Sequence, residues 1–155
     1  MIAMFDGKYA FLSNFYPSPF EFDGITFPTV EHWFQAWKTE DPKEFKAIAT
    51  ADTPGKSKRM GRQCTLRSDW ETIKTDVMMN GLRHKFSDPK LRAMLLATGD
   101  EELMEGNTWH DNTWGNCVCA KCQNTPGRNM LGMLLMELRK EIQYEVANNN
   151  GILEN

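Results

Sequence analysis

The residues of this chain whose types and spacing could do chemistry are a carboxylate with one of two amines, an Asp-bearing loop rich in tryptophan and asparagine, and a knot of cysteines. Glu31 and Lys38 stand seven residues apart in a stretch, Val30 to about Thr39, that reads as a helix opened by Thr29 as its N-cap. Seven residues is nearly two turns, so both border one arc made by Val30, Trp33, Phe34 and Trp37, with Gln35 beside them. Against aromatic side chains both groups lose hydration. The acid then becomes a usable general acid or base, and the amine moves toward its neutral, nucleophilic form. The ordinary alternative is a solvated surface pair. Lys85 competes for the amine's part, because in a helix from Trp70 to Phe86 it falls between Val77 and Met78 on the apolar side. A lysine there can also simply pack its stem while its head snorkels, and spacing does not separate the two lysines.

Asn107 to Asn116 brings two Trp, one His, one Asp and three Asn together with neither helical nor strand period. Such a mixture suits a pocket that stacks a flat base on Trp109 or Trp114 and binds ribose hydroxyls through Asp111 and Asn side chains. A rigid loop of Asx turns would use the same residues. Directly after it, Cys117, Cys119 and Cys122 form C-x-C-x-x-C. With Cys64 or His110 as a fourth ligand they could close a structural zinc site, and reduced thiols in a loop are the alternative. The basic run Lys56 to Arg62 reads as a solvated turn around Gly61, with phosphate contact as the lesser reading.

The elements that must position these groups are mostly helical. Phe20 to Phe27 reads as a hairpin about Asp23-Gly24. Helices follow from Val30, from Lys43 to Thr50, from Trp70 (capped by Ser68 or Asp69) to Phe86, from Pro89 to Gly99 and from Met130 to about Ala147. Glu102 to Glu105 offers a short strand. Gly106 to Arg128 is irregular and long enough to expect a functional or metal-organised loop. The expected fold class is mainly α (α+β), a single multi-helical domain over 1–147 with a short N-terminal β-hairpin, a Cys-rich loop and a flexible tail over 148–155. At 155 residues, 41% hydrophobic and 25% charged, the chain has material for one core. Its net charge of −3 excludes a global field for non-specific nucleic-acid binding. No apolar run approaches the roughly 20 residues of a membrane span, and with no leader pattern at Met1 a cytoplasmic protein is expected.

Several stretches, in order along nearly the whole chain, resemble one family. They are Phe11-Leu12-Ser13-Asn14-Phe15, Pro28 through Lys38, Met60-Gly61-Arg62, Trp70 through Lys85-Phe86, Leu95 through Gly99, Asp111 with Trp114-Gly115, and Gly127-Arg128-Asn129 on into Leu135 to Arg139. This ordered set is similar to the NADAR family, also called YbiA-like or riboflavin-intermediate N-glycosidases. The resemblance implies a YbiA-like fold and hydrolysis of the bond between C1 of ribose and a nitrogen. The substrates it implies are ribosylamino-pyrimidine phosphates or ADP-ribosylated guanine, free or in nucleic acid. It also implies a lysine that attacks C1, with no cofactor required. Carried over by position, the catalytic candidates are Glu31, Lys38 or Lys85, and Asp111. Substrate-binding candidates are Asn14, Phe15, Gln35, Trp70, Trp109, Trp114 and Asn129, with Arg59 and Arg62 as phosphate contacts. The Cys-rich insertion departs from the simplest bacterial members. The rival reading keeps the pocket without the chemistry, as a zinc-stabilised module that binds nucleotide or ADP-ribose.

Overall fold

The computed structural model describes residues 1–154, with side chains described up to Asn149. Two compact units appear, one of Asn14–Asp88 and one of Met1–Ser13 with Pro89 onward.

In the Asn14–Asp88 unit, β1 (Phe20–Phe22) pairs antiparallel with β2 (Ile25–Phe27), Phe20 facing Phe27. The turn has Asp23 at φ 52° and Gly24 at φ 77°, the two left-handed residues that an Asp-Gly hairpin needs. Helices α1 (Val30–Ala36), α2 (Pro42–Ala49), α3 (Pro54–Gln63) and α4 (Trp70–Lys85) follow. The Thr29 hydroxyl accepts from the His32 amide and opens α1, as expected. That helix stops earlier than its periodicity suggests. The Lys38 amide donates to Gln35 at 3.2 Å, an i−3 bond that tightens the chain into a turn, so Lys38 lies just past the helix end. The segment expected as a basic turn is α3: α2 ends at Ala49 with Thr50 as its cap, and Thr53 and Pro54 start the next helix, the Thr53 hydroxyl accepting from the Lys56 amide. Asp69 stands at the start of α4 but makes no capping bond, because its carboxylate accepts from Arg67 Nε at 2.6 Å. Trp33 centres an aromatic cluster, 5.0 Å from Phe27 and 5.3 Å from Trp37 between ring centroids. Its indole donates to the Val77 carbonyl at 2.9 Å. A Cβ at Gly81 would come within 2.6 Å of the same ring, which is why α4 carries glycine there.

The other unit opens with a 3₁₀ turn at Gly7–Leu12, then has α5 (Pro89–Ala97), β3 (Gly106–Asn107), β4 (Asn116–Cys117) and α6 (Met130–Glu154). The strand expected over Glu102 to Glu105 reduces to a bridge between Leu103 and Ile2. Two strands that the sequence does not announce, β3 and β4, pair in parallel inside the long irregular stretch. Leu131, Leu134, Leu135, Leu138 and Ile142 are buried on α6 as their spacing predicts. The helix continues through the expected tail to Glu154; Asn155 lies outside the described residues. The mainly helical class with a small hairpin is as expected. No helix among the described residues is long and apolar enough to cross a membrane.

Candidate functional site

Glu31 sits in the first turn of α1 and is buried, not merely bordered by aromatics. Its amide donates to the Asn14 carbonyl at 3.2 Å, and its Oε1 accepts from Gln35 Nε2 at 2.8 Å, one turn further on. Asn14 Nδ2 meets Met78 Sδ at 3.3 Å, while two acceptors of this group, Asn14 Oδ1 and Gln35 Oε1, are buried without a donor. Buried acceptors usually have partners, so these two mark positions where a donor group would be stabilised. The crowding around Gln35 comes from α3: a Cβ at Gly61 would collide with Gln35 Oε1 and stand 2.9 Å from Gln35 Cδ. Only glycine permits that approach.

Lys38 is half-buried, its Nζ 5.7 Å from the centre of the Phe34 ring and 5.9 Å from that of Trp70. Burial holds its pKa below the ordinary lysine value. Glu31 and Cys64 oppose that shift, while Arg62 and Lys58 reinforce it. The desolvated amine expected from the sequence is present, in a turn instead of on the helix itself. Trp70 is buried and packs edge-on against Phe34 at 5.0 Å, walling the amine. Phe15 is exposed, with Lys58 Nζ 6.0 Å from its ring, and Arg59 and Arg62 are exposed on α3. Of the basic run, Arg59 and Arg62 are the sequence candidates, whereas the fold brings Lys58 to Phe15 and within electrostatic reach of Lys38.

Lys85 is a different case. It is 1% exposed, and burial lowers its pKa from 10.5 to about 7. Its Nζ lies 5.2 Å from the Phe86 ring centre and 5.7 Å from that of Tyr16.

A cleft of about 640 Å³ in the same unit is lined by Phe22, Trp33, Trp37, Arg67, Asp76 and His84 among others, and by none of the catalytic, binding or metal candidates named from the sequence. Trp37 Nε1 is buried without a partner. The cleft offers aromatic walls and volume, whereas the acid beside a desolvated amine is at Glu31 and Lys38. An acid and a desolvated amine are the groups that general-acid and nucleophilic chemistry draws on.

In the other unit the Asn and Asp side chains of the Trp-rich loop hold the loop itself. Asn107 Oδ1 accepts from the Trp109 and Asp111 amides at 3.3 and 3.1 Å, and its Nδ2 donates to the Asp111 carbonyl at 2.8 Å. Asp111 Oδ1 accepts from the Thr113 and Trp114 amides. Asn129, at φ 51°, accepts from the Glu105 amide and donates to the Leu103 carbonyl. Trp109 is 61% exposed, and Trp114 is half-buried. His110 Nδ1 stands 3.4 Å from the sulfurs of Cys119 and Cys122 and 3.8 Å from that of Cys117. This group could hold a metal ion, all four ligand atoms lying within 4.8 Å of one another. Of the two fourth ligands considered, His110 completes it; Cys64 instead donates its thiol to the Gly61 carbonyl in the other unit.

Comparison with known proteins gives the family and the fold. The NADAR domain pattern matches residues 4–143. N-glycosidase YbiA of Escherichia coli (strain K12) is 43% identical over 140 residues, covering 88% of this chain and 84% of that one. N-glycosidase Npun_R5314 of Nostoc punctiforme is 38% identical over 141 residues, covering 87% and 86%. The NMR structure of the E. coli protein YbiA superposes with a TM-score of 0.80 at 38% identity, over 95% of this chain and 89% of that one. The chain belongs to the NADAR domain family. With relatives of that name and likeness it is a glycosidase enzyme, so the non-catalytic rival is set aside.

Proposed function

We propose that this N-glycosidase hydrolyses the bond between C1 of a ribosyl group and the nitrogen of a base or aminopyrimidine, with Lys38 as nucleophile and Glu31 as proton donor. The observation that carries the assignment is the pairing of a buried, Gln35-held carboxylate with an accessible amine whose pKa burial lowers. Lys85 is held back because its side chain is almost wholly inaccessible.

The reaction follows from those two groups. The neutral Nζ of Lys38 forms a bond to C1 as the C1–N bond breaks, and the departing nitrogen takes a proton from the Glu31 carboxyl. Glu31, now a carboxylate, takes a proton from Nζ and passes it to O4′ as the C1–O4′ bond opens, which leaves a protonated imine with a free 4′-hydroxyl. Water then adds at C1, the amine leaves, and free sugar and base are the products. No cofactor enters this sequence, and a metal at the His110 and cysteine cluster has a structural part only.

A relative from Vibrio vulnificus (strain YJ016) is named a riboflavin biosynthesis protein, which supports a ribosylamino-pyrimidine phosphate as substrate; ADP-ribosylated guanine is the second candidate. The exposed Arg59 and Arg62 suit the phosphates of either. Base stacking by Trp109 or Trp114 and hydroxyl binding by Asp111 are each to be tested by substitution, whereas both groups of the Asn129 amide already have partners in the Glu105 amide and the Leu103 carbonyl.

Borohydride reduction during turnover, followed by peptide mass spectrometry, should find a sugar adduct on Lys38. Lys38→Arg should abolish it, because a guanidinium keeps the charge and cannot supply a neutral amine. An adduct on Lys85 reverses the lysine assignment. Intact hydrolysis with no adduct on either lysine refutes the imine and favours direct attack by water.

A further inference from the structure

Four side chains near β4 make an arrangement that hydrogen bonding does not explain. A neutral imidazole nitrogen has one proton or one lone pair, yet His110 Nδ1 has three sulfurs within 3.8 Å. No disulfide joins Cys117, Cys119 and Cys122, although their sulfurs converge. The backbone is committed to the convergence as well. His110 sits at φ 67°, which side-chain-bearing residues seldom adopt. The Cys122 amide donates to the Cys119 carbonyl at 3.1 Å, turning the chain so that two thiols face the same point. The Cys117 amide donates to Asn112 Oδ1 at 2.9 Å, and the Val118 amide to the Asn107 carbonyl at 2.7 Å.

A cation at the centre accounts for all of this. A tetrahedral zinc ion, about 2.3 Å from sulfur and about 2.0 Å from nitrogen, puts a sulfur and a nitrogen ligand roughly 3.5 Å apart. The three observed separations, 3.4, 3.4 and 3.8 Å, bracket that value. Three thiolates with one imidazole is a soft, nitrogen-containing set that suits zinc and disfavours magnesium or calcium.

We propose that His110 Nδ1 and the sulfurs of Cys117, Cys119 and Cys122 form a closed zinc site that pins the Asn107–Asn116 loop to the Cys117–Cys122 turn. With four protein ligands no position is open for substrate or water, so the ion is structural. Its effect is local and specific: His110 precedes Asp111, whose carboxylate caps the Thr113 and Trp114 amides, so the ion anchors the turn that sets Asp111 and Trp114. The Asn107 and Asp111 side chains order the loop from within, and the ion adds the tie to the Cys117–Cys122 turn.

Elemental analysis of protein purified without chelator should give about one zinc per chain. Cys119→Ser and His110→Ala should lose it, while His110→Cys, which offers a fourth sulfur, should retain it. Because a variant can fail by misfolding, apoprotein of the unaltered chain is also titrated with Co²⁺ under reducing conditions. Strong thiolate-to-cobalt charge transfer with intense tetrahedral d–d bands is expected. Amide exchange over Asn107–Asn116 should accelerate on zinc removal, while the amides of α4 keep their protection. Zinc-free protein with no cobalt charge transfer overturns the site, as does iron in place of zinc, or full zinc retention by both His110→Ala and Cys119→Ser. Exchange over Asn107–Asn116 that ignores zinc removal overturns the pinning.

Discussion

Replacing Lys85 with methionine tests the energetics of a charge-bearing side chain that is 1% exposed. Burial lowers its pKa from 10.5 to about 7 in the folded protein, while the unfolded chain keeps the ordinary value. Between those two values the unfolded chain binds more protons, so folding stability rises with pH across that window, by at most about 1.4 kcal/mol per pH unit. Integrated over the window, the cost of burying this lysine is roughly 5 kcal/mol below pH 7 and vanishes above pH 10.5. Methionine is unbranched and apolar, and fills the same channel beside Tyr16 and Phe86 without a charge to desolvate. Part of the gain is forfeited with the amine's attraction to those rings and its other interactions, leaving Lys85→Met more stable than the parent by about 1–3 kcal/mol at pH 7. Urea unfolding of both proteins at pH 7, 8 and 9 measures the difference, which should shrink steadily as the pH rises. A difference independent of pH, or a variant less stable than the parent at pH 7, would refute the argument. Borohydride trapping on Lys38 should persist in this variant.

Gly61→Ala places a methyl group against Gln35; helix propensity favours alanine by about 1 kcal/mol, overpacking costs about 1–3, and the net should be mild destabilisation with a clear loss of kcat as the Gln35 bond to Glu31 is disturbed. A stabilised, fully active Gly61→Ala would contradict the close approach of α3 to α1. Asn129→Ala removes hydrogen bonds to the Glu105 amide and the Leu103 carbonyl and should lower stability by about 2–3 kcal/mol in chemical denaturation, since those groups lose their partner while buried. Lys58→Gln takes away a positive charge that lowers the Lys38 pKa, so the rising limb of the kcat–pH profile should move to higher pH; movement to lower pH would invert the assigned electrostatics.

The hairpin, the Thr29 cap and the buried stripe of α6 were legible in the sequence because each rests on local rules: a left-handed Asp-Gly pair, one hydroxyl to one amide, and a 3.6-residue period. The desolvation of Glu31 and Lys38, and the cysteine cluster, were legible because residue type and spacing alone restrict what such groups can do. Which histidine or cysteine completes the cluster was not, since His110 and Cys64 differ only in where the folded chain carries them. The end of α1 before Lys38 and the helix hidden in the basic run also lay beyond local rules, as did the cleft lined by Trp37, Arg67 and Asp76. Nor could periodicity choose between Lys38 and Lys85, which both lie along apolar arcs. Tertiary packing separates them, closing over Lys85 and leaving Lys38 half-buried, because desolvation depends on every atom that surrounds an amine and not on its neighbours along the chain.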